Sequence, residues 1–205
     1  MGCCEHESAL SARDHRQKRT LIYVLIINAL MFGVIIVASW LAGSSALFAD
    51  AFDNLGDAIT YAVSLYAVSR SNTVKAKVAV FKGCLILLGG LLVLSQVVYK
   101  LFNPAVPIFE LMGLFSLIAL AANALCLLLL SKHRHEDVNM SSVWACSRND
   151  IVANLSVFVA AALVWFTQSG WPDLLVATLL ALYLLRSGFQ VIHSARENLT
   201  PSCRI

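Results

Sequence analysis

Three aspartates, Asp50, Asp53 and Asp57, lie close together in one apolar stretch, GSSALFADAFDNLGD. Asp53 and Asp57 are four residues apart, which stacks both carboxylates on one face of a helix and lets them share a ligand. A second stretch, SVWACSRNDIVAN, repeats the spacing with Cys146 and Asp150. An ionisable side chain at membrane depth costs about 2.5–3.5 kcal/mol on insertion scales, so a cluster of them is a functional-site hypothesis. The two pairs together offer three carboxylates and one sulfur. Such a four-donor set can close around a tetrahedral ion such as Zn²⁺ or Cd²⁺, whereas a hard ion such as Mg²⁺ has no use for the thiolate. The competing reading is a structural polar network, with Asp53 and Asp57 neutralised by Arg148 and Asn149 or by the amides of Asn54 and Asn154. Three aspartates in one helix weigh towards metal.

The elements that must hold these groups follow from composition. The chain has 205 residues, 59% hydrophobic and only 13% charged, with a mean hydropathy of +0.77, so the lipid bilayer is its solvent. A helical span takes about 20 apolar residues, which allows roughly six spans and little else. Continuous apolar runs cover residues 20–42, 45–69, 78–99, 108–130, 141–166 and 173–193, and unbroken rather than alternating runs favour helices over a barrel. The expected fold is therefore an all-α integral membrane protein of six transmembrane helices. Residues 1–19 form a polar tail, 20–199 the six-helix domain and 200–205 a short C-terminal tail. From the ends of the helices, Asp53 and Asp57 are expected roughly 12–18 Å below the outer surface and Cys146 and Asp150 roughly 8–14 Å above the inner one.

Orientation follows from Lys and Arg, which stay on the cytoplasmic side. One set of span ends carries Arg13, Arg16, Lys18, Arg19, Arg70, Lys75, Lys77, Lys82, Lys132, Arg134, Arg186, Arg196 and Arg204, and the opposite set only Lys100. Both termini are thus expected in the cytoplasm, and the net charge of +3 reflects this bias rather than nucleic-acid binding. The six cysteines imply no disulfide framework, and Cys84 and Cys126 read as small buried hydrophobes. Two further clusters have open readings. The amino-terminal CCEHE, with Cys3, Cys4 and His6, is either an ordinary tail or a transient loader of soft metals; SKHRHEDVNM, residues 131–140, is either a solvated loop or a metal-collecting mouth. Asp50, nearer the outer end, either steers ions at an exit or lies within reach of water. Arg148 is expected to pair with a carboxylate when the metal site is empty. Asn28 and Asn123 read as bundle-stabilising donors.

At these motifs the sequence resembles the cation diffusion facilitator family of metal/proton antiporters. GSSALFADAFDNLGD resembles the family's second-span motif, YKLFNPAVP its outer loop between spans three and four, and WPDLLVATLLALYLLRSG the start of its sixth span. The resemblance implies that Asp53, Asp57, Cys146 and Asp150 bind the metal. It also implies export of Zn²⁺ or Cd²⁺ from the cytoplasm by proton antiport with alternating access, in a homodimer of the cell (inner) membrane. No prosthetic group is expected, the metal being the transported substrate. Two features depart from the family pattern: Cys146 stands where His or Asp is usual, and the chain reaches Ile205 directly after the sixth span, where many relatives continue into a cytoplasmic domain. Without that domain, dimer contacts are expected from the spans, with Gly89-Gly90 allowing close approach. Transport of Fe²⁺, Co²⁺, Ni²⁺ or Mn²⁺, or metal sensing without transport, are the alternatives. An enzyme is not expected, since the chain carries no Ser/His/Asp set, P-loop or phosphate-cradling glycine motif.

Overall fold

Gly43 adopts a positive φ of 61°, which an L side chain rarely tolerates, and reverses the chain between the first two helices. The computed structural model describes the backbone of residues 2–67, 72–131 and 138–197, and within these the side chains of 16–63, 65, 79–131, 144 and 147–194. The described residues form six helices: α1 (Gly2–Ala42), α2 (Ser45–Ala67), α3 (Asn72–Phe102), α4 (Phe109–Ser131), α5 (Val138–Thr167) and α6 (Trp171–Glu197). They coincide with the six expected runs. The ends differ: α1 continues through the polar tail to Gly2, and α5 begins at Val138. Good helix formers in the tail, among them Glu7, Ala9, Leu10, Ala12, Arg13 and Arg16, allow the extension.

Five of the helices are long and apolar enough to cross a membrane, over Arg16–Ala42, Ala79–Phe102, Phe109–Ser131, Ser147–Thr167 and Trp171–Ser194. The exception is α2, which contains Asp50, Asp53 and Asp57. Its 23 residues would still extend about 34 Å. Its polar groups are kept from lipid by position, because α2 packs against α1, α3, α5 and α6. Large apolar side chains cover the outside of the bundle. Trp40 (80% exposed), Phe102 (80%) and Phe166 (83%), with Trp165 and Trp171, ring one end like the aromatic belt of a membrane interface. In water such a surface would drive aggregation; in a bilayer it faces lipid. The chain is a multi-pass integral membrane protein. The described basic residues Arg16, Lys18, Arg19, Lys82, Arg148 and Arg186 lie in the opposite half, here the inner half.

The outer end is tied by one carboxylate. Asp173, at the start of α6, accepts hydrogen bonds from Ser44 Oγ (2.6 Å), Ser45 N (2.8 Å) and Ala46 N (2.9 Å). It thereby caps the N-terminus of α2 from another helix, alongside Ser44, whose Oγ accepts from Leu47 N. Lys100 donates to the Gly43 carbonyl (2.6 Å) and lies 3.5 Å from Asp173 Oδ2. Lys100, the basic residue of the outer end among the described residues, is thus used inside the protein. Nearby, Ile108 N donates to the Ala42 carbonyl (2.8 Å), fastening the 103–108 connection to α1.

Two expectations are corrected here. Cys126 is buried as expected, but Cys84 is exposed on the bundle surface. Gly89-Gly90 serves contacts within the chain: a Cβ at Gly89 would lie 2.6 Å from the Phe52 ring and one at Gly90 2.9 Å from Leu185. Helices α3 and α6 cross closely at Gly83 and Gly188, where an added Cβ on either would lie 3.1 Å from the other's carbonyl oxygen. Their pair of small residues brings α3 against the site-bearing interior.

Candidate functional site

Asp53, Asp57 and Asp150 line one cavity of about 40 Å³, together with Gly56, Thr60, Lys82, Ile86, Tyr183, Leu184 and Ser187. The space suits an ion with a few waters rather than a fully hydrated one. On α2, positions 53, 56, 57 and 60 recur at helical spacing along the face that lines it, and α5 adds Asp150. The two helices bring Asp57 next to Asp150. The two residues lie ten and twelve positions from the inner ends of their helices, about 15 and 18 Å at the helical rise. The earlier start of α5 thus puts both at one level, where the apolar runs alone suggested approach from opposite sides.

Asp57 accepts from the Tyr61 hydroxyl at 3.4 Å and is attracted to Lys82. Asp53 experiences Asp57 and Asp50 as like charges. Among the described residues no three His, Cys, Asp or Glu side chains stand close enough together to hold a metal ion. Cys146 lies on α5 four residues before Asp150, and its side chain is outside the described residues. The structure therefore brings together three of the four expected ligands around one cavity, two of them in contact.

Other expected residues are placed as follows. Asp50 is 1% exposed, and neither of its carboxyl oxygens has a hydrogen-bond partner among the described residues. It is out of reach of water. Asn54 and Asn154 donate to the carbonyls of Asp50 (2.9 Å) and Asp150 (2.8 Å) on their own helices. Their Oδ1 atoms are left buried without a partner among the described residues. Asn28 reaches across to α4, with Nδ2 3.7 Å from Cys126 Sγ. Arg148 is exposed and its guanidinium lies 5.6 Å from the centre of the Trp144 ring; it does not line the carboxylate cavity. The expected pairing of Arg148 with the site is thus replaced by cation–π stacking. The side chains of Cys3, Cys4, His6 and residues 132–140 are not among those described.

The sequence reading missed Lys82, Tyr61, Thr60, Tyr183 and Ser187. A signal existed for Lys82, which interrupts the apolar run VAVFKGCLILL at membrane depth. Tyr183 and Ser187 are four apart on α6 and also line a second cavity of about 310 Å³ with Asn149, Arg186 and Gln190. This larger space lies towards the inner end and shares its wall with the carboxylate cavity. Towards the outer end, Ala46, Leu47, Ala49 and Ala51 of α2 pack with Val93 and Val157 in one dry core. The carboxylate cavity thus has a second, polar cavity on its inner side and an apolar core on its outer side.

Residues 21–200 match the cation efflux transmembrane domain. Over 94% of its length the chain is 25% identical to the zinc transporter ZitB of Yersinia pestis, covering 65% of that protein. It is 25% identical over 85% of its length to a cadmium, cobalt and zinc/H(+)-K(+) antiporter of Bacillus subtilis. It is 23% identical, again over 85%, to the metal cation efflux system protein CzcD of Cupriavidus metallidurans. In the latter two it covers 60% of the relative, so it spans under two thirds of the length of these proteins. With a family match over nearly the whole bundle and acidic groups from α2 and α5 facing one cavity, the chain belongs to the cation efflux, or cation diffusion facilitator, family.

Proposed function

We propose that this protein exports a divalent transition-metal ion, Zn²⁺ and also Cd²⁺, from the cytoplasm in exchange for protons. The observation that carries the reading is the cavity into which α2 and α5 deliver Asp53, Asp57 and Asp150. Cys146, one helical turn inward of Asp150, supplies the fourth ligand, and its sulfur tilts the site towards soft ions. The names of the ZitB and CzcD relatives support a metal cargo. The chemistry of the donors supports proton exchange: carboxylates and a thiol must be deprotonated to bind metal, so a divalent ion and protons compete for the same atoms. Metal affinity accordingly falls as pH falls. Release is favoured on the more acidic outer side and loading on the cytoplasmic side.

In this reading the inner cavity is the cytoplasmic entrance, and the packed outer half, with the Asp173–Lys100 tie, must open for release. The protein resides in the cell (inner) membrane and works as a homodimer. Its six-helix domain spans residues 20–199, with all six helices crossing the bilayer and both termini in the cytoplasm.

Uptake of zinc and cadmium by proteoliposomes containing the full chain, with and without an imposed pH gradient, tests the proposal. Flux that follows the gradient and collapses when a protonophore dissipates it is the expected outcome. Binding without flux would make the protein a metal sensor instead. Stronger competition by Fe²⁺, Co²⁺, Ni²⁺ or Mn²⁺ than by cadmium would change the cargo.

A further inference from the structure

Lys82 stands ten residues from the inner end of α3, and Asp57 ten residues from the inner end of α2, each about 15 Å along its helix; the apolar span of α3 begins at Ala79, three residues before Lys82. A lysine inside a span is costly unless it is paired or its stem carries the ammonium to water. Here it lines the same cavity as Asp53, Asp57 and Asp150 and is attracted to Asp57. Its presence meets an electrostatic need. Three carboxyls share a small space, and like charges at such separation destabilise one another strongly when water is scarce. An ammonium offsets part of that charge.

An ammonium has three donors and no acceptor, so it can occupy a carboxylate site but contributes nothing to a metal's ligand shell. Lys82 and a divalent ion therefore exclude each other. The larger inner cavity, lined by Asn149, Tyr183, Arg186, Ser187 and Gln190, shares Tyr183 and Ser187 with the carboxylate cavity. It gives the flexible four-carbon stem a polar place to withdraw to.

We propose that Lys82 is a tethered counter-cation, which occupies the carboxylate cavity when no metal is bound and swings into the inner mouth when metal enters. The proposal rests on the transport reading above. It assigns Lys82 a positioning role: the tethered charge lowers metal affinity, hastens release, and neutralises the empty site while the emptied protein resets.

Zinc titration of the purified full chain at fixed pH compares native protein with Lys82→Gln, Lys82→Arg and Asp57→Ala. Lys82→Gln should bind zinc about tenfold more tightly and release it more slowly, the scale expected of removing one nearby charge from a partly buried site. Lys82→Arg, which keeps the charge, should stay within a factor of two or three of native, on the order of measurement scatter between variants. Unchanged or weaker affinity in Lys82→Gln, alongside lost binding in Asp57→Ala, would overturn the role of Lys82 and leave the metal site standing. Native affinity in Asp57→Ala would overturn the metal site itself. Reductive methylation of the native chain, read at Lys82 by mass spectrometry, gives a test that needs no variant. Zinc should raise the rate several-fold by exposing the amine at the mouth, and an unchanged rate would contradict the swing.

Discussion

Asp57 is where the interactions of the site meet: the Tyr61 hydroxyl, the Asp150 carboxyl and the Lys82 ammonium all act on it. Its pairing with Asp53 was legible in the sequence because an interval of four is a local property of a helix. Its meeting with Asp150 was less so, since that depends on the register of α2 against α5 and hence on where α5 begins. The site role of Lys82 was missed for a related reason. Counting basic residues at span ends records that Lys82 lies on the inner side, but not that its ammonium faces the carboxylates. Arg148 shows the converse, a charge beside the site in sequence whose side chain turns outward onto Trp144. At this scale Cys146 makes the sharpest chemical prediction. Cys146→Ser replaces a soft donor by a hard one, so cadmium binding measured by titration should weaken by about tenfold or more while zinc binding changes far less. Equal losses for both ions would remove the sulfur from the ligand shell.

Helix α2 carries the chemistry and is the least membrane-like of the six, and both facts come from its three aspartates. Its existence and limits could be read from the Gly43-Ser44 turn and the apolar run that follows. Its fastening could not, because the groups that cap it are distant in sequence: Asp173 lies 127 to 129 residues from Ala46, Ser45 and Ser44. Asp173 is 1% exposed and the Lys100 side chain 11%. Asp173→Ala strands Lys100 and two backbone amides of α2 at once, and breaking a buried, hydrogen-bonded pair costs about 3–5 kcal/mol. Ser44→Ala removes one cap alone, a loss of about 1 kcal/mol. Thermal unfolding in detergent should therefore show a much larger drop in midpoint for Asp173→Ala than for Ser44→Ala. Similar midpoints would mean that Ser44 and its neighbours cap α2 without help from α6.

Across the whole molecule, hydrophobic content and run length specified an all-helical membrane bundle, because a chain in lipid must satisfy its backbone within helices. The packing order was not legible. That α2 sits among α1, α3, α5 and α6, and that Gly83 and Gly188 draw α3 onto α6, depends on contacts between small residues that resemble ordinary membrane-helix glycines in sequence. This packing puts an apolar core on the outer side of the carboxylates and the larger polar cavity on their inner side. On the proposed function, metal crosses the membrane through the cavity of Asp53, Asp57 and Asp150. Radioactive zinc flux into proteoliposomes under a fixed pH gradient, native chain against Asp57→Ala at equal reconstituted amounts, tests this most directly. Asp57→Ala should carry at most about one hundredth of the native flux, in line with the loss of a metal ligand. Flux in Asp57→Ala equal to that of the native chain would contradict it.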